Sequence, residues 1–386
     1  EALERIGHRR LLVLTGESPA YSYDRFLSAL KTIKDVKTEP AGEIRRVNVE
    51  IPPLSISDYR KLLELDIVGT VTLFQETYHR ETYKRYHTAG PKADYDYRLQ
   101  TMDRANLGGI DDVGIGALFG LYDYRFEVLA MLQHSEHLEK YYGAGPHTIS
   151  FPRMQPADGA PLAEQPPYPV NDADFRKLVA VIRCAVPYTG MILSTRESPE
   201  MRRDLLHLGV SQLSAGSKTD VGAYHRDAGI DPSIPNVAGA PQLTEEEEER
   251  AAISKRRRAH RAASSTKPKH DAGQFELQDH RTLDEVVAEL MKEEFQPSWC
   301  TACYRSGRQG KAFEAFSRSG KIGEFCSINA TLSTKEWLED YATPETKTIG
   351  DEMLEKELEN VEREGTKRLL ERKLGKIAKG ERDLYV

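Results

Sequence analysis

No run of apolar residues approaches the eighteen or so that a membrane-spanning helix needs, which excludes a helical bilayer span. The chain also lacks a charge excess of the kind that draws a protein to nucleic acid or anionic lipid. Its 54 basic and 61 acidic residues leave a formal charge of −7. Four cysteines among 386 residues are too few for a secreted disulfide framework; clustered as they are, they suggest metal ligation in a reducing compartment. An initiator Met, an apolar signal core and an Arg/Ser-rich transit stretch are all missing from the opening EALERIGHRRLLVLTG, so the chain reads as a fragment that starts within a helix. What is present is a core-forming composition, 39% hydrophobic and 30% charged.

Short β-rich runs alternate with amphipathic segments. The runs are 10–17, 44–51, 70–76, 112–120, 147–156, 191–197 and 210–217, with helical patterns such as Tyr23 to Lys34 and the Ser55-capped SISDYRKLLELD between them. Seven strand–helix units at this rhythm predict a parallel α/β architecture. Polar residues gather at the carboxyl ends of the runs (TGES, FQETYH, STRE, SAGS), where a (β/α)8 barrel builds its active site. The expectation is a TIM-type barrel lacking its first strand; an open doubly wound sheet of seven units is the alternative.

The expected organisation is a barrel over 1–226, a charged insertion over 227–272 and a helical carboxyl-terminal domain over 273–386. The insertion carries an acidic run, TEEEEER, beside a basic one, SKRRRAHR, and its composition predicts solvated disorder rather than a nucleic-acid patch. Thr282 is a helix N-cap candidate. Cys300, Cys303 and Cys326 form a CX2CX22C set. Three thiolates with one position open suit either an iron–sulfur cluster or a zinc site completed by a distant His280. Cys184, in VIRCAVPY, is expected to pack in the core.

Several segments carry a resemblance: IRRVNVEIPP, LFQETYH, GPKADYDYRLQTMDRA, GIDDVGIGALFGLYDYRFEV, GPHTISFPR, AVPYTGMILSTRE, GVSQLSAG and CTACYRSG with its third cysteine. The chain resembles the radical S-adenosylmethionine tyrosine lyases of FeFe-hydrogenase maturation, over nearly its whole length outside the insertion. The cysteine set separates it from the related thiamine-pathway tyrosine lyases. The resemblance implies a radical barrel that cleaves tyrosine to p-cresol and dehydroglycine and then yields carbon monoxide and cyanide. It implies a carboxyl-terminal 4Fe–4S cluster that collects them on a labile fifth iron, and other hydrogenase-maturation proteins as partners. The family's radical-generating 4Fe–4S cluster is held by a CX3CX2C motif, which this sequence does not contain. The chain is therefore expected to be a fragment that does not cleave S-adenosylmethionine as it stands, with a non-catalytic iron–sulfur scaffold or a tyrosine lyase of the thiamine pathway as the alternatives. The resemblance implies a soluble location, cytoplasmic or in an organellar matrix.

Residue roles follow from the same resemblance. Gly16 and Glu17 would meet the methionyl ammonium of S-adenosylmethionine, Glu76 its ammonium or ribose, and Arg104 its carboxylate. Gly114 and Gly116 would let strand backbone approach the adenine. Ser194, Thr195 and Arg196 would hold tyrosine, Arg196 against the carboxylate, unless Arg196 pairs with Glu197. His137, among the trio with His134 and His147, would ligate the labile iron, while His147 is expected to pack. Ser150, Arg153 and Ser214 would line the barrel.

Overall fold

The computed structural model describes residues 1–17, 21–157, 159–219, 223–224 and 275–386. The insertion expected at 227–272, and Ser18 of TGES, lie outside them. Seven strands form one sheet: β1 Arg10–Leu14, β2 Arg46–Glu50, β3 Val68–Glu76, β4 Val113–Ala117, β5 Thr148–Ser150, β6 Gly190–Leu193 and β7 Gln212–Leu213. All neighbours pair parallel, in strictly sequential order. A doubly wound sheet reverses its strand order at a switch point; this sheet never does, so it has the (β/α)8-type architecture with one strand fewer. Among the described residues no pairing joins β7 to β1.

Alternation explains how the sheet is covered. Val47, Val49, Val71, Leu73, Val113, Ile115, Ile149 and Met191 share one core with helix residues such as Phe26, Leu30, Tyr59, Leu62, Phe175 and Leu178. The opposite, inner face is small and polar in the middle strands (Asn48, Thr70, Thr72, Gly114, Thr148 and Ser150), with Leu12 and Leu14 exposed at the β1 edge. The helix Tyr23–Asp35 sits where its amphipathic pattern predicts, and Ser55 accepts from the Asp58 amide as an N-cap. All the strands except β3 are shorter than the runs that predict them. No helix among the described residues is long and apolar enough to cross a membrane.

The carboxyl-terminal region is helical. Helix Leu283–Lys292 opens on a full capping box between Thr282 and Glu285. It packs with helices Ile322–Asp340 and Pro344–Glu359 through Val287, Met291, Trp337, Leu338 and Met353, and Trp299 stacks on Trp337 with centroids 5.0 Å apart. Helix Glu364–Ile377 closes a smaller core through Leu370 and Ile377.

A buried ionic knot fastens this region to the sheet. Arg9 precedes β1 and Arg45 precedes β2; both reach Glu336, Arg9 at 3.4 Å. Glu336 also accepts the Asp383 amide at 2.7 Å, and Arg9 lies 3.5 Å from Asp340. Arg9 is 2% exposed and Glu336 3%. Removing one partner of such a set leaves a desolvated charge behind. Glu336→Ala is expected to lower the unfolding free energy by about 3 kcal/mol or more, measured by urea denaturation; an unchanged midpoint would show that the knot does not hold the lobe in place.

Candidate functional site

The carboxyl end of the sheet gathers charge. Glu50 ends β2 and Glu76 ends β3, where a register shift after Phe74 and a positive φ of 69° re-aim the chain. Glu76 accepts from Lys92 at 2.7 Å and from Arg98 at 3.3 Å, and Arg98 also faces Glu17 at 3.7 Å. Arg98 is 6% exposed. Burial alone would raise the Glu76 carboxyl, but Lys92 and Arg98 outweigh it and hold it below the usual carboxylate range. Glu50 goes the other way: burial, reinforced by the Glu76 charge, pushes it up to about 7 against the pull of Arg196 and Arg98. The mouth thus pairs an ionised carboxylate with one that holds its proton near neutrality.

The expected residues distribute unevenly around this mouth. Glu17 and Glu76 come together through Arg98, with Gly16 beside Glu17. Arg196 turns its guanidinium over the Phe275 ring, 3.9 Å from the centroid, within the field of Glu50 and Glu76. The pairing of Arg196 with Glu197 does not form, because Glu197 is taken by Arg153, which also reaches Asp172 at 2.8 Å. Ser194 accepts the Arg196 amide, and the Thr195 carbonyl accepts the amides of Gln278 and Asp279. Ser150 is buried on β5, and the Ser214 carbonyl accepts from Arg202. Arg104 lies apart from the mouth: it donates to the Leu54 carbonyl at 2.9 Å and to Tyr97, whose ring it covers. A Cβ at Gly116 would lie 2.7 Å from both Phe74 and the Ser150 carbonyl, and one at Gly114 would meet Thr72 and Thr148, so packing by itself demands these glycines. Arg98 and Glu50 are the residues sequence reasoning missed. Glu50 had the same signal as Glu76, a carboxylate closing an apolar strand.

The cysteines occupy the other end. Tyr304, next to Cys303, places its hydroxyl 3.3 Å from Thr70 near the start of β3, and Arg46 at the start of β2 lies over its ring at 2.9 Å. The segment 300–304 therefore covers the amino end of the sheet. The helix Gly310–Arg318 adds Phe313 against His147, and Glu314 accepts the Gly145 amide at 2.7 Å. Burial raises the Cys326 thiol to about 11, and the charges of Cys303 and Cys300 push the same way; Cys300 is raised by burial and by Cys303. Among the described residues no three His, Cys, Asp or Glu side chains converge to hold one ion. A multi-iron cluster takes each thiolate on a separate corner iron, and three thiolates are a donor set of that kind.

The histidines sort by position. His137 lies on helix Tyr124–Tyr142, 42% exposed, with Nε2 2.7 Å from Asp103; it does not meet the cysteine segment. His134 bonds Tyr78 at 2.9 Å. His147 is the histidine beneath the segment, its ring 6.3 Å from that of Tyr304 and 4.6 Å from that of Phe313. His280 is exposed, beside residues that bond the Thr195 carbonyl at the opposite end, so it cannot complete a zinc site here. Cys184 corrects an expectation: it is exposed, not core. The helix Asp172–Ala185 buries Phe175, Leu178, Val179 and Ile182. At 3.6 residues per turn, Cys184 lies about 200° round from Ile182 and faces water.

Comparison with known proteins was made on this geometry. The Biotin and Thiamin Synthesis associated domain matches residues 150–296. A crystal structure described as HydG, a maturase of the FeFe-hydrogenase, is similar at 45% identity and a TM-score of 0.85, covering 100% of this chain and 75% of that one. The FeFe-hydrogenase maturase HydG from Carboxydothermus hydrogenoformans is similar at 36% identity and a TM-score of 0.70, covering 97% of this chain and 72% of that one. The 2-iminoacetate synthase of Salmonella typhimurium is 34% identical over 229 residues, 59% of this chain, and that of Escherichia coli 35% identical over 228, 58% of this chain. The chain spans 58% and 57% of the length of these two curated relatives.

The electrostatics of the mouth are open to measurement. A carbon-13 carboxyl titration is expected to place Glu50 near 7, and Glu76→Gln, by removing a like charge, is expected to move it down. Because its folded pKa lies above the unfolded 4.5, Glu50 favours folding most below the unfolded value, and that contribution is lost as pH rises through about 7. A Glu50 midpoint indifferent to Glu76→Gln would contradict the coupling.

Proposed function

We propose, because this chain belongs to the HydG family of FeFe-hydrogenase maturases, that it acts as the radical S-adenosylmethionine tyrosine lyase of that maturation. When bound, S-adenosylmethionine and its 4Fe–4S cluster supply the radical that starts cleavage of the tyrosine Cα–Cβ bond to p-cresol and dehydroglycine, the source of carbon monoxide and cyanide. The sequence holds no CX3CX2C run, so the radical step is assigned to a polypeptide that contains one.

The chain's own residues divide the remaining work. Gly16 and Glu17, with Glu76 and Arg98, hold the polar end of S-adenosylmethionine at the mouth; Gly114 and Gly116 leave room beside strand backbone. Arg104, which lies apart from the mouth, is the weaker candidate for the cofactor carboxylate; Arg98 stands at the mouth, where its donors are held by the Phe74 carbonyl, Glu76 and Glu17. Arg196 holds the tyrosine carboxylate, with Ser194 and Thr195 beside it. The observation that carries this reading is the Arg196 guanidinium: it faces the mouth and, among the described residues, has neither an ion pair nor a hydrogen bond of its own. A planar donor fork kept free in a charged pocket suits a bidentate carboxylate.

At the opposite end Cys300, Cys303 and Cys326 hold the second 4Fe–4S cluster. The fifth iron that carries the carbonyl and cyanide ligands is cargo, passed on to other maturation proteins. Position favours His147 over His137 as the protein ligand to that iron. The cysteine set also weighs for maturation over the thiamine-pathway lyases, which resemble the barrel.

Two experiments test this. Arg196→Gln is expected to weaken tyrosine binding about tenfold or more, as loss of a charge-assisted bond does, read by equilibrium dialysis; an unchanged dissociation constant would remove Arg196 from the substrate site. With reductant and S-adenosylmethionine, the chain alone is expected to release no p-cresol from tyrosine, and the chain joined to a CX3CX2C-bearing segment is expected to release it. Silence from the joined protein would sink the lyase reading.

A further inference from the structure

Beside His147 sits a buried carboxylate that the functions above leave unused. Asp112 is 1% exposed, and neither of its side-chain oxygens has a hydrogen-bond partner. A desolvated carboxylate without bonds is costly, so a structure that keeps one has a donor for it in prospect. Two donors face it: Nδ1 of His147 at 3.4 Å from Oδ1, and Arg46 Nη2 at 3.9 Å from Oδ2. Arg46 lies over the face of Tyr304, and its Nε and Nη2 likewise have no hydrogen-bond partner. The backbones of the other pair are fixed where they stand. The Asp112 carbonyl accepts the Val71 amide at 3.1 Å, the His147 amide donates to the Val113 carbonyl at 2.8 Å, and the His147 carbonyl accepts the Gly190 amide at 2.7 Å. Adjacent strands thus hold carboxylate and imidazole in register at the amino end of the sheet, with Tyr304 and Phe313 of the cysteine lobe against the ring.

We propose that Asp112 is a positioning residue for the metal-binding imidazole: it accepts the Nδ1–H of His147, keeping that proton on Nδ1, and so reserves the Nε2 lone pair for a ferrous ion beside the cysteine cluster. A neutral imidazole has one N–H and one lone pair, and an ionised carboxylate only accepts. The tautomer with the proton on Nδ1 is therefore the one Asp112 stabilises. A carboxylate behind a ligating histidine fixes its tautomer and ring orientation and raises its basicity; losing such a partner commonly costs about 10–100-fold in metal affinity. The inference rests on the reading of His147 as the iron's protein ligand, and its test separates the two.

The first measurement needs neither metal nor variant. In the iron-free full chain labelled with nitrogen-15 histidine, long-range proton–nitrogen correlation is expected to show His147 protonated on Nδ1, and Asp112→Asn is expected to shift it toward Nε2. A purely structural Asp112 would not move the tautomer. An Nε2-protonated His147 in the unaltered chain overturns the proposal. The second measurement titrates ferrous iron alone into the chain reconstituted at its cysteines. Asp112→Asn is expected to weaken ferrous binding about tenfold or more, with the spectrum of the cysteine-held cluster unchanged. If His147→Ala abolishes the ferrous site while Asp112→Asn binds normally, the positioning role is wrong and the ligand stands. If His147→Ala binds iron as well as the unaltered chain, the reading of His147 itself fails.

Discussion

Glu336 is the constraint on which the arrangement of the molecule turns. Its carboxylate is buried between Arg9 and Arg45, the residues that lead into β1 and β2, and it also accepts an amide from the returning tail at Asp383. Charges taken out of water need good partners on every side, and only one docking of helix Ile322–Asp340 supplies them. That docking puts residues 300–304 over the amino end of the sheet. The contacts of Tyr304 with Thr70 and Arg46, and of Phe313 with His147, follow from it.

The protein thereby has two chemically distinct ends. At the carboxyl end, carboxylates and guanidinium groups converge and differ in protonation. At the amino end lie thiols, an imidazole and a buried carboxylate without hydrogen bonds. Between them runs β3, whose nine residues span about 30 Å; the middle of the inner face carries Asn48, Thr70, Thr72, Thr148 and Ser150, with Leu12 and Leu14 at its β1 edge. Charge chemistry and metal chemistry are kept apart by the length of a strand. A cation at the cysteines would otherwise compete with Arg98 and Arg196 for the mouth's carboxylates.

The fold was legible because strand burial and helix periodicity are local signals. All seven strands fall within or beside the predicted runs, and the caps at Ser55 and Thr282 form as their spacing requires. The family resemblance, carried by the barrel segments and the CX2CX22C set, agrees with the comparisons. Individual roles were less legible, because they depend on which residues meet across the fold. Arg98 and Arg104 sit six apart in one segment, and nothing local says that the first turns into the mouth while the second binds carbonyls at 54 and 97. The resemblance points to His137 and leaves His147 to pack; the docking of the cysteine lobe brings His147, not His137, beneath Tyr304 and Phe313. Cys184 misled because its neighbours are apolar, although its angle on the helix points outward. Asp112 gave no signal, since its burial beside His147 and Arg46 exists only once the strands have come together.

The central claim is that the cysteine lobe, pinned by Glu336, holds an iron–sulfur cluster at the amino end of the sheet with an iron within reach of His147. Diffraction from crystals of the reconstituted chain, collected on either side of the iron absorption edge, tests it most directly. The account predicts iron density bounded by Cys300, Cys303 and Cys326, with further iron on the His147 side. Anomalous density at the zinc edge instead, or iron beside His137 on the outer helix, would contradict it.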